Sequence, residues 1–270
     1  MVNNFSLKKL LNWLKKNFKM TKQNNYITSN KSSWCPGCSN FSIRAALIRA
    51  FSELNLKPHE ISMVFDIGCA GNSCVLYNVY GFHGLHGRTV PLAVGAKLAN
   101  NKLTVIGITG DGGAYGEGLN HLVEAARSDY NITLIVSNNK LYSLTTGQAS
   151  PTSERGTKTK STPEGVNKTG LNPLLIALSA GAGFVARGYA DEVEHLSGIF
   201  KKAINHKGFS LIDVLQPCIT LDKKNTREWY QKRIYQLDDK WPVEDRNKAI
   251  IKVQEWGDKI PIGIFFNMWK

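Results

Sequence analysis

Two short stretches carry residue types suited to a metal ion and a phosphorylated ligand. Gly110-Asp111-Gly112-Gly113 follows the apolar run Leu103 to Thr109, and Asn138-Asn139 follows the apolar run Ile132 to Ser137. Asp and Asn side chains are hard oxygen donors of the kind Mg²⁺ prefers, and the main-chain carbonyl of Leu141 is a third candidate ligand. Water and diphosphate oxygens would complete the shell. Gly110 and Gly112 let the backbone approach phosphates closely, and the turn they share with Gly113 offers free N–H groups at a helix start. Gly-Asp-Gly alone is a common turn. Its pairing with Asn139, 28 residues after Asp111 and at the end of the next strand, is far more selective. A Rossmann dinucleotide site is the structural rival, but no G-x-G-x-x-G follows a strand.

The five cysteines are Cys35, Cys38, Cys69, Cys74 and Cys218. An odd count, no signal-peptide pattern and a Cys-x-x-Cys pair point to a reducing, cytoplasmic setting with metal or redox ligands. Trp34-Cys35-Pro36-Gly37-Cys38 is preceded by the polar run ITSNKSS, whereas a thioredoxin-type dithiol follows a hydrophobic strand. Cys69 lies just past an apolar strand run, in Ile67-Gly68-Cys69, and Cys218 lies just past another, Ser210 to Leu215. Strand ends of one parallel sheet converge on one edge, so these thiols and the Cys35–Cys38 turn can gather. Four gathered thiolates suit a [4Fe–4S] cluster or a structural zinc. Cys74 reads as a spectator.

These groups need a scaffold that brings strand ends together. Phe41 to Leu54 has apolar residues at helical spacing, Ile61 to Ile67 reads as a strand, and a Gly- and His-rich loop (81–88) precedes a helix over Val90 to Ala99. Leu103–Thr109, a helix over Glu117 to Arg127 and Ile132–Ser137 form a strand–helix–strand unit whose strands should be parallel neighbours. Residues 143–172 are a long polar stretch, of the kind that is functional or mobile inside a compact domain. Further runs follow: helix Asn172–Ala180, strand Gly183–Arg187, helix Asp191–Asn205 and strand Ser210–Leu215, with helices expected over Thr226–Leu237 and Val243–Gly257. The alternation predicts an α/β fold with a doubly wound, mostly parallel sheet and a C-terminal helical arm. It divides into a basic N-terminal extension (1–30), a binding domain (31–220) and the arm (221–270).

Composition narrows the partners. The chain has 270 residues and a formal net charge of +13. Its basic residues are spread along the chain and no nucleic-acid motif occurs, so anionic small molecules and an acidic electron carrier are the economical partners. No run reaches the ~18 apolar residues of a membrane span. Residues Phe5 to Met20 form a lysine-rich amphipathic helix pattern, read here as a dispensable extension.

The Asp111–Asn139 pairing resembles the thiamine diphosphate signature. Beyond it, the chain from Trp34 onward resembles the β subunit of the 2-oxoacid:ferredoxin oxidoreductases. The likeness rests on WCPGC, IGCAGN, YGFHGLHGR, VPLAVGAKLAN, GDGGAYGEGLNHL, SNNKLYSLTTGQASPTS, LQPC and EWGDKIPIGIFF, in that order. The resemblance implies that Cys35, Cys38, Cys69 and Cys218 ligate one [4Fe–4S] cluster, and that Asp111, Asn139 and the Leu141 carbonyl hold Mg²⁺. Gly68, His86 and Arg88 would lie near the cofactor, with a loop-packing role as the rival reading of His86. The implied activity is oxidative decarboxylation of a 2-oxoacid, with the acyl group passing to coenzyme A and electrons passing through the cluster to ferredoxin. The activating glutamate of thiamine enzymes would come from a separate α subunit. Ser39, Gly113 and Ser143 depart from the family pattern, which touches details of cofactor fit. The loop LTTGQASPTS resembles the variant of enzymes that accept 2-oxoglutarate or several oxoacids, but Thr146 stands where some relatives carry lysine, so the choice between 2-oxoglutarate and pyruvate stays open. The rival class is a non-oxidative thiamine-dependent decarboxylase or synthase with structural zinc.

Overall fold

The computed structural model describes residues 24–268; the N-terminal amphipathic pattern lies outside them. Helix α1 (Asn40–Glu53) leads to strand β1 (Ile61–Phe65), the edge strand β2 (Tyr80–His83) and α2 (Thr89–Ala99). Then come β3 (Thr104–Gly110), a π-helical turn (Gly113–Glu117), α3 (Leu119–Ser128) and β4 (Thr133–Asn138). A two-residue hairpin, β5 (Leu141–Tyr142) and β6 (Gln148–Ala149), opens the polar stretch. The rest comprises α4 (Pro173–Ala180), β7 (Phe184–Tyr189), α5 (Val193–Asn205), β8 (Ser210–Leu215), α6 (Arg227–Gln231), β9 (Ile234–Gln236), α7 (Arg246–Lys252) and β10 (Ile260–Asn267).

The eight-stranded sheet runs β2-β1-β3-β4-β8-β7-β10-β9. Strands β2 through β7 in that order are parallel to one another, and β10 pairs antiparallel with β7. Successive residues of the central strands serve opposite cores. Ile106, Ile135 and Ile212 pack with α1 and α5, while Val105, Leu134 and Leu211 pack with α2, α3 and α4. This two-sided burial is why these strands read as unbroken apolar runs. It also makes the sheet a three-layer, doubly wound structure.

Register then sets the site. Gly110 pairs with Ser137, and Asn138 with Leu215, so the tips of β3, β4 and β8 end level on one edge. The chain leaves β1 for β2 on one side and returns to β3 on the other. The resulting crevice is where open parallel sheets bind ligands.

Some local expectations change. The 81–88 stretch is half strand: β2 is exposed along its length, so no apolar alternation marks it. The helix expected from Glu117 begins one residue beyond Gly118, after a π turn rich in glycine. The helical arm is shorter than expected and also supplies two strands. Its helices are real, with Thr226 and Asp245 accepting from Trp229 N–H and Lys248 N–H as caps. Tyr235, however, lies in β9, and the nearly all-buried β10 joins the main sheet. Pro261 and Gly263 hide β10 in the sequence, and a register shift between Ile264 and Phe266 accompanies them.

Candidate active site

Asp111 stands at the tip of β3 and is buried. Its Oδ2 accepts hydrogen bonds from Ser150 Oγ (2.5 Å) and Thr152 Oγ1 (2.7 Å), both from the polar stretch. Burial pushes its carboxyl up to about 6, because no cation compensates the charge among the described residues. The two asparagines after β4 have different tasks. Asn138 turns into the fold, where Nδ2 donates to Asp213 (3.0 Å) and Oδ1 accepts from Thr152 (2.9 Å). Asn139 lines the cavity with Asp111, its Oδ1 accepting from Leu141 N–H (3.0 Å) and its Nδ2 donating to Gln216 (3.4 Å). Lys140 between them and the hairpin adopts φ +61° and its ammonium pairs with Glu154 at 2.9 Å.

A cavity of about 320 Å³ opens at these strand tips. Gly110, Asp111, Gly112 and Gly113 form one wall, Asn139 and Leu141 another, and Gly68, Cys69 and His86 a third. Its floor tolerates no side chain. A Cβ on Gly112 would lie 2.3 Å from the Tyr142 ring, and one on Gly113 would lie 2.2 Å from Asp66 Oδ2. An acidic residue at position 113, which the resemblance would favour, therefore has no room. Asp66 fills the space, accepting from Gly87 N–H (3.0 Å) and Thr109 Oγ1 (2.8 Å), while its Oδ1 has no partner among the described residues and burial pushes it up to about 6.

The cysteines approach the same edge. Cys35 and Cys38 form a turn ahead of α1, closed by Cys38 N–H to Cys35 carbonyl (3.0 Å), with Gly37 at φ +79°. Trp34 Nε1 donates to the Cys69 carbonyl at 2.6 Å, and Gln216 Nε2 donates to Cys38 Sγ at 3.4 Å. Burial, then the nearby thiols of Cys38, Cys218 and Cys35, push the Cys69 thiol up to about 11. Burial likewise raises Cys38, with Cys218 and Cys35 adding to it. The four therefore share one electrostatic neighbourhood. Among the described residues, no three His, Cys, Asp or Glu side chains are close enough together for a single metal ion. Cys74 stands apart, its sulfur 3.7 Å from His83 Nδ1.

Residues 66–214 match the family described as thiamine pyrophosphate enzyme, C-terminal TPP binding domain, and residues 218–269 match the C-terminal family of the pyruvate ferredoxin oxidoreductase β chain. The chain is 47% identical to a 2-oxoacid:ferredoxin oxidoreductase subunit beta of Saccharolobus solfataricus, covering 87% of this chain and 81% of that one. A corresponding subunit of Aeropyrum pernix is 46% identical, over 89% of this chain and 79% of its own. The chain belongs to the 2-oxoacid:ferredoxin oxidoreductase β-subunit family. Its structure is similar, at a TM-score of 0.90 and 30% identity, to a solved 2-oxoglutarate:ferredoxin oxidoreductase from Magnetococcus marinus with 2-oxoglutarate, coenzyme A and succinyl-CoA bound. That match covers 92% of this chain and 86% of the other. A β subunit implies an α partner. Among the described residues, no helix is long and apolar enough to cross a membrane.

Within this β subunit, most residues singled out from the sequence meet at one edge; Arg88 does not line the cavity. It is exposed, and its guanidinium holds the Glu117 carbonyl (3.2 Å) and the His121 ring (3.3 Å), bracing the back of the loop. The sequence reading missed Glu117, Tyr142, Ser150, Thr152 and Gln216. Ser150 and Thr152 belong to a polar stretch whose length was the only signal, and Glu117 looked like the start of a helix.

Proposed function

We propose that this chain is the cofactor-carrying β subunit of an enzyme that oxidatively decarboxylates a 2-oxoacid. It would hold thiamine diphosphate through Mg²⁺ and pass electrons through its own [4Fe–4S] cluster to ferredoxin, with the acyl group leaving on coenzyme A. The observation that carries the reading is the shared wall: Asp111, Asn139 and Cys69 line one cavity at the tips of β1, β3 and β4. The donor set fits both groups. Asp111, Asn139 and the Leu141 carbonyl are hard oxygen ligands for Mg²⁺. Asp111 is buried and burial raises its carboxyl, a setting in which a bound cation would stabilise the carboxylate. Four thiols in one electrostatic neighbourhood are a donor set suited to a cluster.

Cluster rather than zinc is favoured by the neighbouring cavity: a cluster beside a thiamine site could accept electrons, and redox-inert zinc could not.

The protein's tasks follow from its own groups. When bound, thiamine diphosphate supplies a carbanion that attacks a 2-oxoacid carbonyl and stabilises the charge left by departing CO₂. Asp111, oriented by Ser150 and Thr152, fixes the metal and with it the diphosphate end. Gly112 and Gly113 leave the space that the Tyr142 ring and the Asp66 carboxylate occupy beside the turn. Cys69, on the cavity wall, would place a cluster held by the four thiols beside the cofactor cavity, where it could accept electrons. The glutamate that activates the cofactor's pyrimidine, and the substrate contacts, come from the α chain. Pyruvate and 2-oxoglutarate are the leading substrates.

The test is co-expression with the α chain and anaerobic purification. Iron and sulfide analysis and the visible spectrum should report one cluster per β chain, and ferredoxin should be reduced only when 2-oxoacid and coenzyme A are both present. A colourless, zinc-loaded enzyme that releases an aldehyde without reducing ferredoxin would establish the non-oxidative alternative.

A further inference from the structure

Tyr142 lies flat on the glycine floor, touching the places where Gly112 and Gly116 would carry a Cβ, at 2.3 Å from its ring and 2.7 Å from its hydroxyl. From that seat its hydroxyl donates to Glu117 Oε1 (3.2 Å). The other oxygen of the same carboxylate, Oε2, is 3.0 Å from His86 Nδ1. Glu117 thus uses one oxygen on each of two loops, and a third contact, Arg88 to its carbonyl, anchors its backbone. The Gly87 backbone packs so closely on Glu117 that a Cβ there would sit 2.5 Å from Glu117 Cβ. His86, Glu117 and Tyr142 all line the cofactor cavity, and Nδ1 is the ring nitrogen that His86 commits to the protein.

We propose that Glu117 is a positioning residue that turns His86 into a proton acceptor facing the cavity. The carboxylate oxygen 3.0 Å from Nδ1 favours the tautomer that carries its hydrogen there, which would leave the ring's lone pair on Nε2. Tyr142 prevents the carboxylate from swinging away. The group it would serve is a 2-oxoacid bound in the thiamine diphosphate cavity, whose oxygens exchange protons during decarboxylation. The inference rests on the thiamine reading of the cavity, and it assigns Glu117 a task that the metal and cluster ligands do not have.

The test is a double-mutant cycle in the α-containing enzyme, with a spectroscopic readout on the full-length β chain. In the ¹⁵N spectrum of the labelled chain, His86 should appear as the Nδ1–H tautomer, and Glu117→Ala should shift it toward a mixture. In the enzyme, His86→Ala should lower kcat by roughly 100-fold or more, within the usual range for one acid–base group. Glu117→Ala should lower kcat by about 10- to 100-fold, as loss of an orienting carboxylate does, with KM for the 2-oxoacid little changed. Glu117→Gln, which keeps an acceptor for Nδ1–H, should recover most of that loss and guards against a folding defect in the alanine variant. Adding Glu117→Ala to His86→Ala should cost nothing further. Additive losses, or an unchanged His86 tautomer in Glu117→Ala, would overturn the assignment while thiamine diphosphate still binds. Failure of the wild-type enzyme to bind thiamine diphosphate with Mg²⁺ would overturn the cavity reading as well.

Discussion

Asp111→Asn should make the metal-free chain more stable and the loaded chain less so. The Asp111 carboxyl ordinarily titrates near 3.8, and burial pushes it up to about 6. That displacement of about two pH units, at about 1.4 kcal/mol each, makes its ionised form cost the fold about 3 kcal/mol. An amide is isosteric and carries no such cost. Both partners, Ser150 and Thr152, are hydroxyls that donate to the one oxygen Oδ2, so an amide oxygen placed there keeps both bonds. Neutral hydrogen bonds are weaker than charged ones, so about 1 kcal/mol of the gain is lost. The net expectation is a stabilisation of about 2 kcal/mol, or roughly 4–8 °C in Tm. The pH dependence has a definite sign. A raised carboxyl binds more protons folded than unfolded, so wild-type stability falls as pH rises from about 4 through about 6. The variant's advantage should therefore be small at about pH 4 and complete above about pH 7. Asp66, also raised to about 6, is present in both proteins and cancels. Thermal unfolding in chelator gives the first half of the test. In the second half, Mg²⁺ and thiamine diphosphate at about 100 times their Kd should stabilise the wild type by about 2.7 kcal/mol and leave the variant unmoved, reversing the order. A variant no more stable than wild type in chelator at neutral pH would refute the burial argument. Equal stabilisation of both by the ligands would remove Asp111 from the metal shell.

Three further outcomes follow from the same geometry. Cys218→Ser should abolish the visible absorbance and ferredoxin reduction while leaving thiamine diphosphate binding, measured by titration, within a few-fold of wild type. Gly113→Ala places a methyl 2.2 Å from Asp66 Oδ2 and 2.5 Å from Thr109 Oγ1; it should cost about 1–3 kcal/mol in denaturant unfolding and weaken cofactor binding. Arg187 and Asp213 are buried register partners on β7 and β8. Arg187→Met should cost about 1–3 kcal/mol in denaturant unfolding, because it leaves the Pro261 and Val253 carbonyls without their donor and removes the cation that lowers the Asp213 carboxyl.

What the sequence makes legible follows from burial. Strands β3, β4 and β8 are buried along most or all of their length, so apolar runs and abrupt polar ends mark them. The residues just past such ends, Asp111, Asn139 and Cys218, were legible for the same reason. Strand β2 is invisible because neither face is buried, and β10 because Pro261 and Gly263 interrupt a run that is buried nonetheless. The groups that orient the ligands were hidden by distance in sequence. Ser150 lies 39 residues from Asp111, and Glu117 lies 25 from Tyr142. Spacing carries no trace of these contacts, which only the folding of the polar stretch onto the sheet edge creates.

The edge that carries these groups is rich in buried carboxyls and thiols. Asp66 and Asp111 are both pushed up by burial at the tips of neighbouring strands, and Cys38 and Cys69 are pushed up beside them. A fold chosen for stability alone would place cations here, as it does for Glu154, which holds both Lys140 and Lys224 and is drawn down to about 2 despite its burial. Instead no lysine or arginine lines the cavity wall, whose titratable groups among the described residues are Asp111, Glu117, His86, Tyr142 and Cys69. Buried anionic ligands with no protein counter-charge cost stability until a cation arrives. Their concentration at one edge is what the proposed pair of centres, one suited to oxygen and one to sulfur, rests on.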